Sequence, residues 1–81
     1  MSQDTELFIG PLIERNGSYS YETFTRSEGM RNSFRYRRID EARHDRTVFI
    51  AESRSNPRRI VHVCETLGEF EQAVAGRGRP S

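Results

Sequence analysis

The Asn16-Gly17 pair is the feature that most constrains what this 81-residue chain can fold into. Both residues tolerate the positive φ angles of a type I′ turn, so this pair between two strand-like segments predicts a β-hairpin. Residues 7–15, before the turn, are apolar but interrupted by Gly10-Pro11. Because proline donates no ladder hydrogen bond, we expect this first strand at a sheet edge or with a bulge there. Residues 18–26, after the turn, are rich in aromatic and β-branched residues and predict a second strand.

Three later segments continue the strand pattern. Residues 33–39 alternate, which places Phe34 and Tyr36 on one side of a third strand and Arg35 and Arg37 on the other. Residues 47–52 are apolar on both sides and predict a central fourth strand after a polar connection at 40–46. Residues 58–65 are β-branched and predict a fifth. Short connections favour antiparallel neighbours.

The last element changes period. Leu67, Phe70 and Val74 recur at helical spacing, Thr66 and Glu69 match a capping box, and Gly76 is a natural stop. We therefore predict an α+β fold, a mostly antiparallel, meander-like sheet of about five strands with one C-terminal amphipathic helix on one face. We expect residues 1–5 to be a flexible N-terminus, residues 6–76 a single domain, and residues 77–81 a disordered basic tail.

Charge limits the classes of partner. The net charge is only +1, which argues against a general nucleic-acid coat, so any basic surface must be local. All 13 basic residues are arginine and none is lysine. Two explanations of this composition are open: codon bias in a GC-rich genome, or selection for guanidinium groups, which suit phosphate, carboxylate and aromatic partners. Size and arginine usage together suggest a small bacterial or phage protein.

The remaining sequence features predict a cytoplasmic protein without metal or cofactor. Cys64 is the single cysteine, the start of the chain lacks a signal-peptide pattern, and no apolar run could span a membrane. His62 and Cys64 supply two metal ligands at most, whereas a structural zinc site needs four. We interpret His62 as a partly buried, hydrogen-bonded strand residue and His44 as a solvated loop residue, and predict no enzymatic activity.

The arginine–aromatic run from Arg31 to Ile39 allows two interpretations. Its aromatics could stack bases while its arginines contact phosphates, joined by Arg58 and Arg59 if strands three to five form a meander. Alternatively, Phe34 and Tyr36 pack in the core and the arginines pair with Glu52 or Glu65 on neighbouring strands. The acidic residues at 40, 41 and 45 weaken a phosphate-binding field and count against nucleic acid.

We therefore predict a small protein-binding module, of the accessory, inhibitor or regulatory kind. Surfaces rich in Tyr and Arg are typical of protein–protein contacts, and the edge formed by the first strand could bind a partner or a second copy of the chain by strand addition. The predicted binding residues are Tyr19, Tyr21, Arg35, Tyr36, Arg37, Arg38, Arg58 and Arg59. The alternative is a nucleic-acid-binding domain that contacts phosphates through Arg31, Arg35, Arg37, Arg38, Arg58 and Arg59. A small ribonuclease is the third hypothesis, because Arg, His, Tyr and Glu are all present.

Overall fold

The computed structural model describes residues 5–76, which form a five-stranded mixed sheet and two helices. The elements are β1 (Thr5–Ile9), β2 (Ile13–Arg15), β3 (Ser18–Thr25), β4 (Met30–Tyr36), α1 (Ile39–Arg54), β5 (Arg59–Val63) and α2 (Leu67–Ala75). The predicted α+β class is confirmed, but the sheet is not wholly antiparallel and the helices number two rather than one. Thr5 belongs to β1, whereas the predicted flexible residues 1–4 and basic tail 77–81 lie outside the described residues.

The hairpin around Asn16-Gly17 forms as predicted. Arg15 pairs with Ser18 across a two-residue loop, and Asn16 and Gly17 adopt φ angles of 53° and 79°. Both values lie in the left-handed region that a type I′ turn requires at its two central positions. The turn therefore fixes the register of β2 against β3.

Strand β3 pairs on both sides. One edge pairs with β4, and the other pairs first with β2 and then with β1, all antiparallel. The break at Gly10 to Leu12 separates β1 from β2 along that shared edge. Strand β5 then pairs with β1 in parallel. The predicted first strand is interrupted at Gly10-Pro11 as expected, and its two halves differ: β2 lies at an edge, whereas β1 lies between β3 and β5. Strands β4 and β5 occupy opposite edges of the sheet.

Helix α1 replaces both the predicted connection at 40–46 and the predicted central strand at 47–52. Its inward positions are Ala42, Arg46, Phe49, Ile50 and Ser53, which recur at helical spacing. Thr47 and Val48, whose β-branched side chains suggested a strand, are exposed. Strand β5 pairs in parallel with β1, so the chain must cross from β4 to the opposite edge of the sheet. Helix α1 provides this crossover connection, which a fourth antiparallel strand could not provide.

The two helices pack against opposite faces of the sheet. On the first face, here the α1 face, Leu7, Ile9 and Tyr21 are buried against Phe49 and Ile50 of α1. On the other, the α2 face, Phe8, Phe24 and Cys64 are buried against Phe70 of α2, with Ala73 and Val74 beside them. Tyr21, Phe24, Phe70 and Ile9 are the largest side chains that are fully buried. These two thin apolar layers form the core.

Helix α2 begins with the predicted capping box. The Thr66 hydroxyl accepts from the backbone N–H of Glu69 at 3.1 Å, and a Glu69 carboxylate oxygen accepts from the Thr66 N–H at 3.3 Å. The helix has nine residues and ends with Gly76 as its C-cap. An α-helix of this length spans about 14 Å, which is too short to cover a whole sheet face. Part of the α2 face therefore remains open. Neither helix of the described region is long and apolar enough to cross a membrane.

Candidate binding surface at the open edge of the sheet

Strand β4 is a seven-residue edge strand. Every residue from Met30 to Tyr36 pairs with β3, and within residues 5–76 nothing pairs with its outer side. In such a strand alternate N–H and C=O groups point away from the sheet and can pair with another chain. Its first four residues are exposed, and only Phe34 and Tyr36 are half-buried. This edge is the longest open backbone of the described fold.

On the α1 face, the aromatic residues of β4 belong to the core. Phe34 lies 5.2 Å from Tyr21 and 5.8 Å from Phe49 between ring centroids, and Tyr36 stacks on Tyr21 at 6.2 Å. Of the two interpretations that the sequence left open, the packed one applies to both side chains. Tyr21 is 2% exposed and cannot touch a partner directly, whereas Tyr19 and Tyr36 are half-buried and reach the surface.

Burial also acts on the tyrosine hydroxyls beneath α1. Desolvation, followed by the hydrogen bond with Tyr36, raises the pKa of Tyr21 well above its ordinary value. Desolvation likewise raises the pKa of Tyr36, with the negative charge of Asp45 contributing. Both hydroxyls therefore stay protonated at neutral pH. The stacked rings of these tyrosines connect β3 with β4, and Tyr21 also contacts Phe49 of α1.

On the α2 face, Arg31 joins three elements. Its Nη2 lies 2.7 Å from a carboxylate oxygen of Glu22 on β3 and 2.8 Å from one of Glu71 on α2. Its guanidinium also lies over the Phe70 ring, 5.4 Å from the centroid. The two carboxylates raise the pKa of Arg31. Arg31 is thus committed to holding α2 against β3 and β4, and its charge is already compensated.

An open groove of about 490 Å³ continues from Arg31 along the uncovered part of the α2 face. Its floor has short side chains, Ser18 and Ser20 on β3 and Ser33 on β4. The lining residues are Ile13, Arg15, Asn16, Ser18, Ser20, Glu22, Arg31, Ser33, Arg35, Leu67 and Glu71. Three arginines against two glutamates leave one excess positive charge in the groove.

The excess charge lies at Arg15 and Arg35. Both are exposed, and no carboxylate of the described region lies within ion-pair distance of either one. Arg35 pairs across strands with Ser20, and Arg15 with Ser18, so each guanidinium has a hydroxyl rather than a carboxylate as its cross-strand neighbour. The expected pairing of Arg35 or Arg37 with Glu52 or Glu65 does not occur. The groove offers unpaired guanidinium groups to a negatively charged ligand.

The other predicted arginines lie elsewhere. Arg37 and Arg38 form the exposed turn between β4 and α1, where Arg38 is the N-cap residue and precedes Asp40 and Glu41. Arg58 and Arg59 lie at β5, the edge opposite β4. The expected meander of strands three to five, which would have joined them to Arg35, is therefore wrong, since β5 pairs with β1 instead.

A separate cluster surrounds Phe8 near the start of β1. Glu6 has one carboxylate oxygen 3.3 Å from Nε2 of His62 and the other 3.2 Å from Nη1 of Arg26. His62 stacks on the Phe8 ring at 4.6 Å, and Arg26 lies 4.9 Å from the same centroid. The cluster ties β1 to both of its neighbours. His62 is a strand residue next to a carboxylate, as its position between Val61 and Val63 suggested, but it is exposed rather than partly buried as predicted.

A second open pocket lies at the other side of β4. Tyr36, Asp40, Glu41, His44 and Asp45 line about 500 Å³ at the start of α1. Asp40 and Glu41 occupy the first helical turn, where carboxylates are favoured by the helix dipole. The β4 edge thus has an acidic pocket on its α1 face and an arginine groove on its α2 face.

Sequence reasoning identified Arg35 and Tyr36 but missed Arg15, the serine floor and the clamping role of Arg31. Arg15 adjoins the Asn16-Gly17 turn, and the period of β2 places it on the same face as Ser18. That signal was present in the hairpin register. No protein-family model, curated protein or solved structure matches this chain.

Proposed function

We propose that this protein is a protein-binding module that captures an extended segment of a partner along β4. The observation that carries the proposal is the open seven-residue edge, which presents backbone donors and acceptors beside a groove whose Arg15 and Arg35 form no ion pair within residues 5–76. Strand addition uses such an edge, because main-chain hydrogen bonds supply affinity and alternate side chains supply specificity. Tyr36, Arg35 and Arg37 lie on or next to this strand.

Three structural observations make nucleic-acid binding a weaker proposal than protein binding. Phe34 packs against Phe49 of α1 and Tyr36 stacks on Tyr21, so both rings are already engaged within the protein. Arg31 is compensated by two carboxylates. Arg58 and Arg59 lie at the opposite edge from Arg35. A phosphate backbone would therefore meet separated arginines rather than a continuous stripe.

A peptide selection tests the proposal. Random peptides displayed on phage are selected against the whole protein, and binders are mapped by amide shifts in ¹⁵N-labelled protein. We expect the shifts to be centred on residues 30–36. Binders that map to β5 or to the helices, or a library that yields none, would contradict strand addition at β4.

Two proline variants sharpen the test. Because N–H direction alternates along a strand, one of Asn32→Pro and Ser33→Pro removes an outward donor, and the other removes a donor to β3. We expect the variant that retains the native far-UV circular dichroism and stability to lose the selected peptides. Sedimentation over a range of concentrations shows whether the partner is a second copy of the chain.

A further inference from the structure

We infer that the groove beside β4 is a carboxylate-binding site, and that the segment captured at this edge carries aspartate or glutamate on the side facing Arg35. This inference rests on the proposed strand addition. It goes further by naming the chemistry of the partner and the side chains that recognise it.

The first argument is the charge left uncompensated in the groove. Arg31 already holds Glu22 and Glu71, whereas Arg15 and Arg35 hold no carboxylate of residues 5–76. A guanidinium presents planar paired donors that match a carboxylate, and such charge-assisted hydrogen bonds are stronger than neutral ones. Arg35 and Arg15 therefore favour an anionic side chain.

The second argument is shape. Cross-strand neighbours on the α2 face are Ser20 for Arg35 and Ser18 for Arg15, and Ser33 lies on the edge strand itself. Short hydroxyl side chains leave the space of the groove open and supply donors for a second carboxylate oxygen. Leu67 and Glu71 of α2 close the opposite side. A side chain that enters from β4 thus meets hydroxyl donors as well as guanidinium groups.

The third argument favours an acidic segment over a second copy of the chain as the strand that pairs with β4. If two copies paired antiparallel about Ser33, Arg31 of one copy would face Arg35 of the other. Strand β4 contains two arginines and no acidic residue, so a second copy would supply no carboxylate from its paired strand. Opposite charges directly across a strand pair stabilise it, whereas Arg31 of a second copy already holds Glu22 and Glu71 and would leave Arg35 without a free carboxylate. An acidic segment satisfies this edge, and another β4 does not.

The test compares two synthetic peptides of about nine residues. In one, glutamate alternates with valine and threonine; in the other, glutamine replaces each glutamate. Binding to the whole protein is measured by fluorescence anisotropy and mapped by amide shifts. One favourable cross-strand charge pair, between a peptide glutamate and Arg35, predicts about threefold tighter binding of the glutamate peptide. Arg35→Gln should abolish that preference, and Arg15→Gln should reduce it.

Arg54→Gln is the matched control, because this substitution removes the same charge from an exposed residue in the last turn of α1, outside the groove. It should leave the glutamate preference unchanged. Equal binding of both peptides at β4 would overturn the carboxylate site while leaving strand addition intact. Glutamate-dependent binding that shifts the side-chain Nε–H signals of Arg15 and Arg35 but no backbone amide of residues 30–36 would overturn strand addition and retain the site. Binding of neither peptide up to about 2 mM would overturn the inference.

Discussion

Replacement of Phe70 by alanine should remove a large fraction of the stability of this domain. Phe70 is fully buried among Phe8, Phe24 and Cys64, and it is the only fully buried side chain in α2. A Phe→Ala change at such a position costs about 3–5 kcal/mol. Domains have about 0.05–0.15 kcal/mol of stability per residue, which gives about 4–12 kcal/mol here. The variant should therefore lose a quarter or more of its free energy of unfolding.

Urea unfolding followed by far-UV circular dichroism measures this loss. Leu67→Ala is the control within the same helix, because Leu67 is 40% exposed, and truncation there should cost less than about 1.5 kcal/mol. Leu67 and Glu71 of the same helix close one side of the groove, so Phe70→Ala should also lower the affinity of any ligand that binds there. A loss below about 1 kcal/mol for Phe70→Ala would refute the packing of α2 against Phe8 and Phe24.

Three further predictions concern the turn, the thiol and the buried tyrosine. Gly17→Ala should destabilise the protein by about 1–2 kcal/mol, because φ at Gly17 is +79°. Gly68→Ala in α2 should instead stabilise the protein by about 0.5–1 kcal/mol, because alanine favours a helix more than glycine does. Thermal unfolding of both variants should show these opposite effects. Burial and the charge of Glu69 raise the pKa of the Cys64 thiol, so Ellman's reagent at pH 8 should react at least about 100-fold faster in urea than in the folded protein. Burial raises the pKa of Tyr21 above its unfolded value of 10.0, so its contribution to stability is complete below about pH 10 and is lost as pH rises above it. The free energy of unfolding in urea, measured from about pH 8 to 11, should decline above about pH 10, and Tyr21→Phe should make this decline shallower. An equal decline in Tyr21→Phe would show that Tyr21 is not its cause.

Local signals predicted the elements whose ends they mark. Asn16-Gly17 fixed the β2–β3 hairpin, and Thr66 with Glu69 fixed the start of α2. In each case the side chains or backbone angles of neighbouring residues determine the structure, so no tertiary information was needed. The alternation within residues 33–39 likewise placed Phe34 and Tyr36 on one side of a strand and Arg35 on the other, although the strand ends at Tyr36.

Helix α1 escaped prediction because its start carries no capping signature and its middle is rich in strand-forming residues. Arg38 is the N-cap, and its side chain makes no capping hydrogen bond. Thr47 and Val48 favour strands intrinsically, but they face solvent, and packing of Phe49 and Ile50 against the sheet decides the conformation. The buried and half-buried residues from Ala42 to Ser53 recur at helical spacing, but residues 47–52 alone are too few to show this spacing.

The candidate site was predictable only in part, for a related reason. The sequence placed Arg35 on one side of a strand, and that placement needs only a two-residue period. Which arginines share a surface depends on strand order, and β5 lies far from β4 because it pairs with β1. Likewise, the ion pairs of Arg31 join residues 9 and 40 positions away, and the sequence carries no sign of such contacts.

The parallel pairing of β1 with β5 has a consequence for folding during synthesis. Thr5 to Ile9 pair with Arg59 to Val63, so the central strand lacks one neighbour until residue 63 has left the ribosome. Closing a loop of this length costs entropy before its contacts form, which slows folding relative to a chain with local contacts. The hairpin of β2 and β3 can form early. The nascent chain must therefore keep Leu7, Phe8 and Ile9 from aggregation until residue 63 has been made.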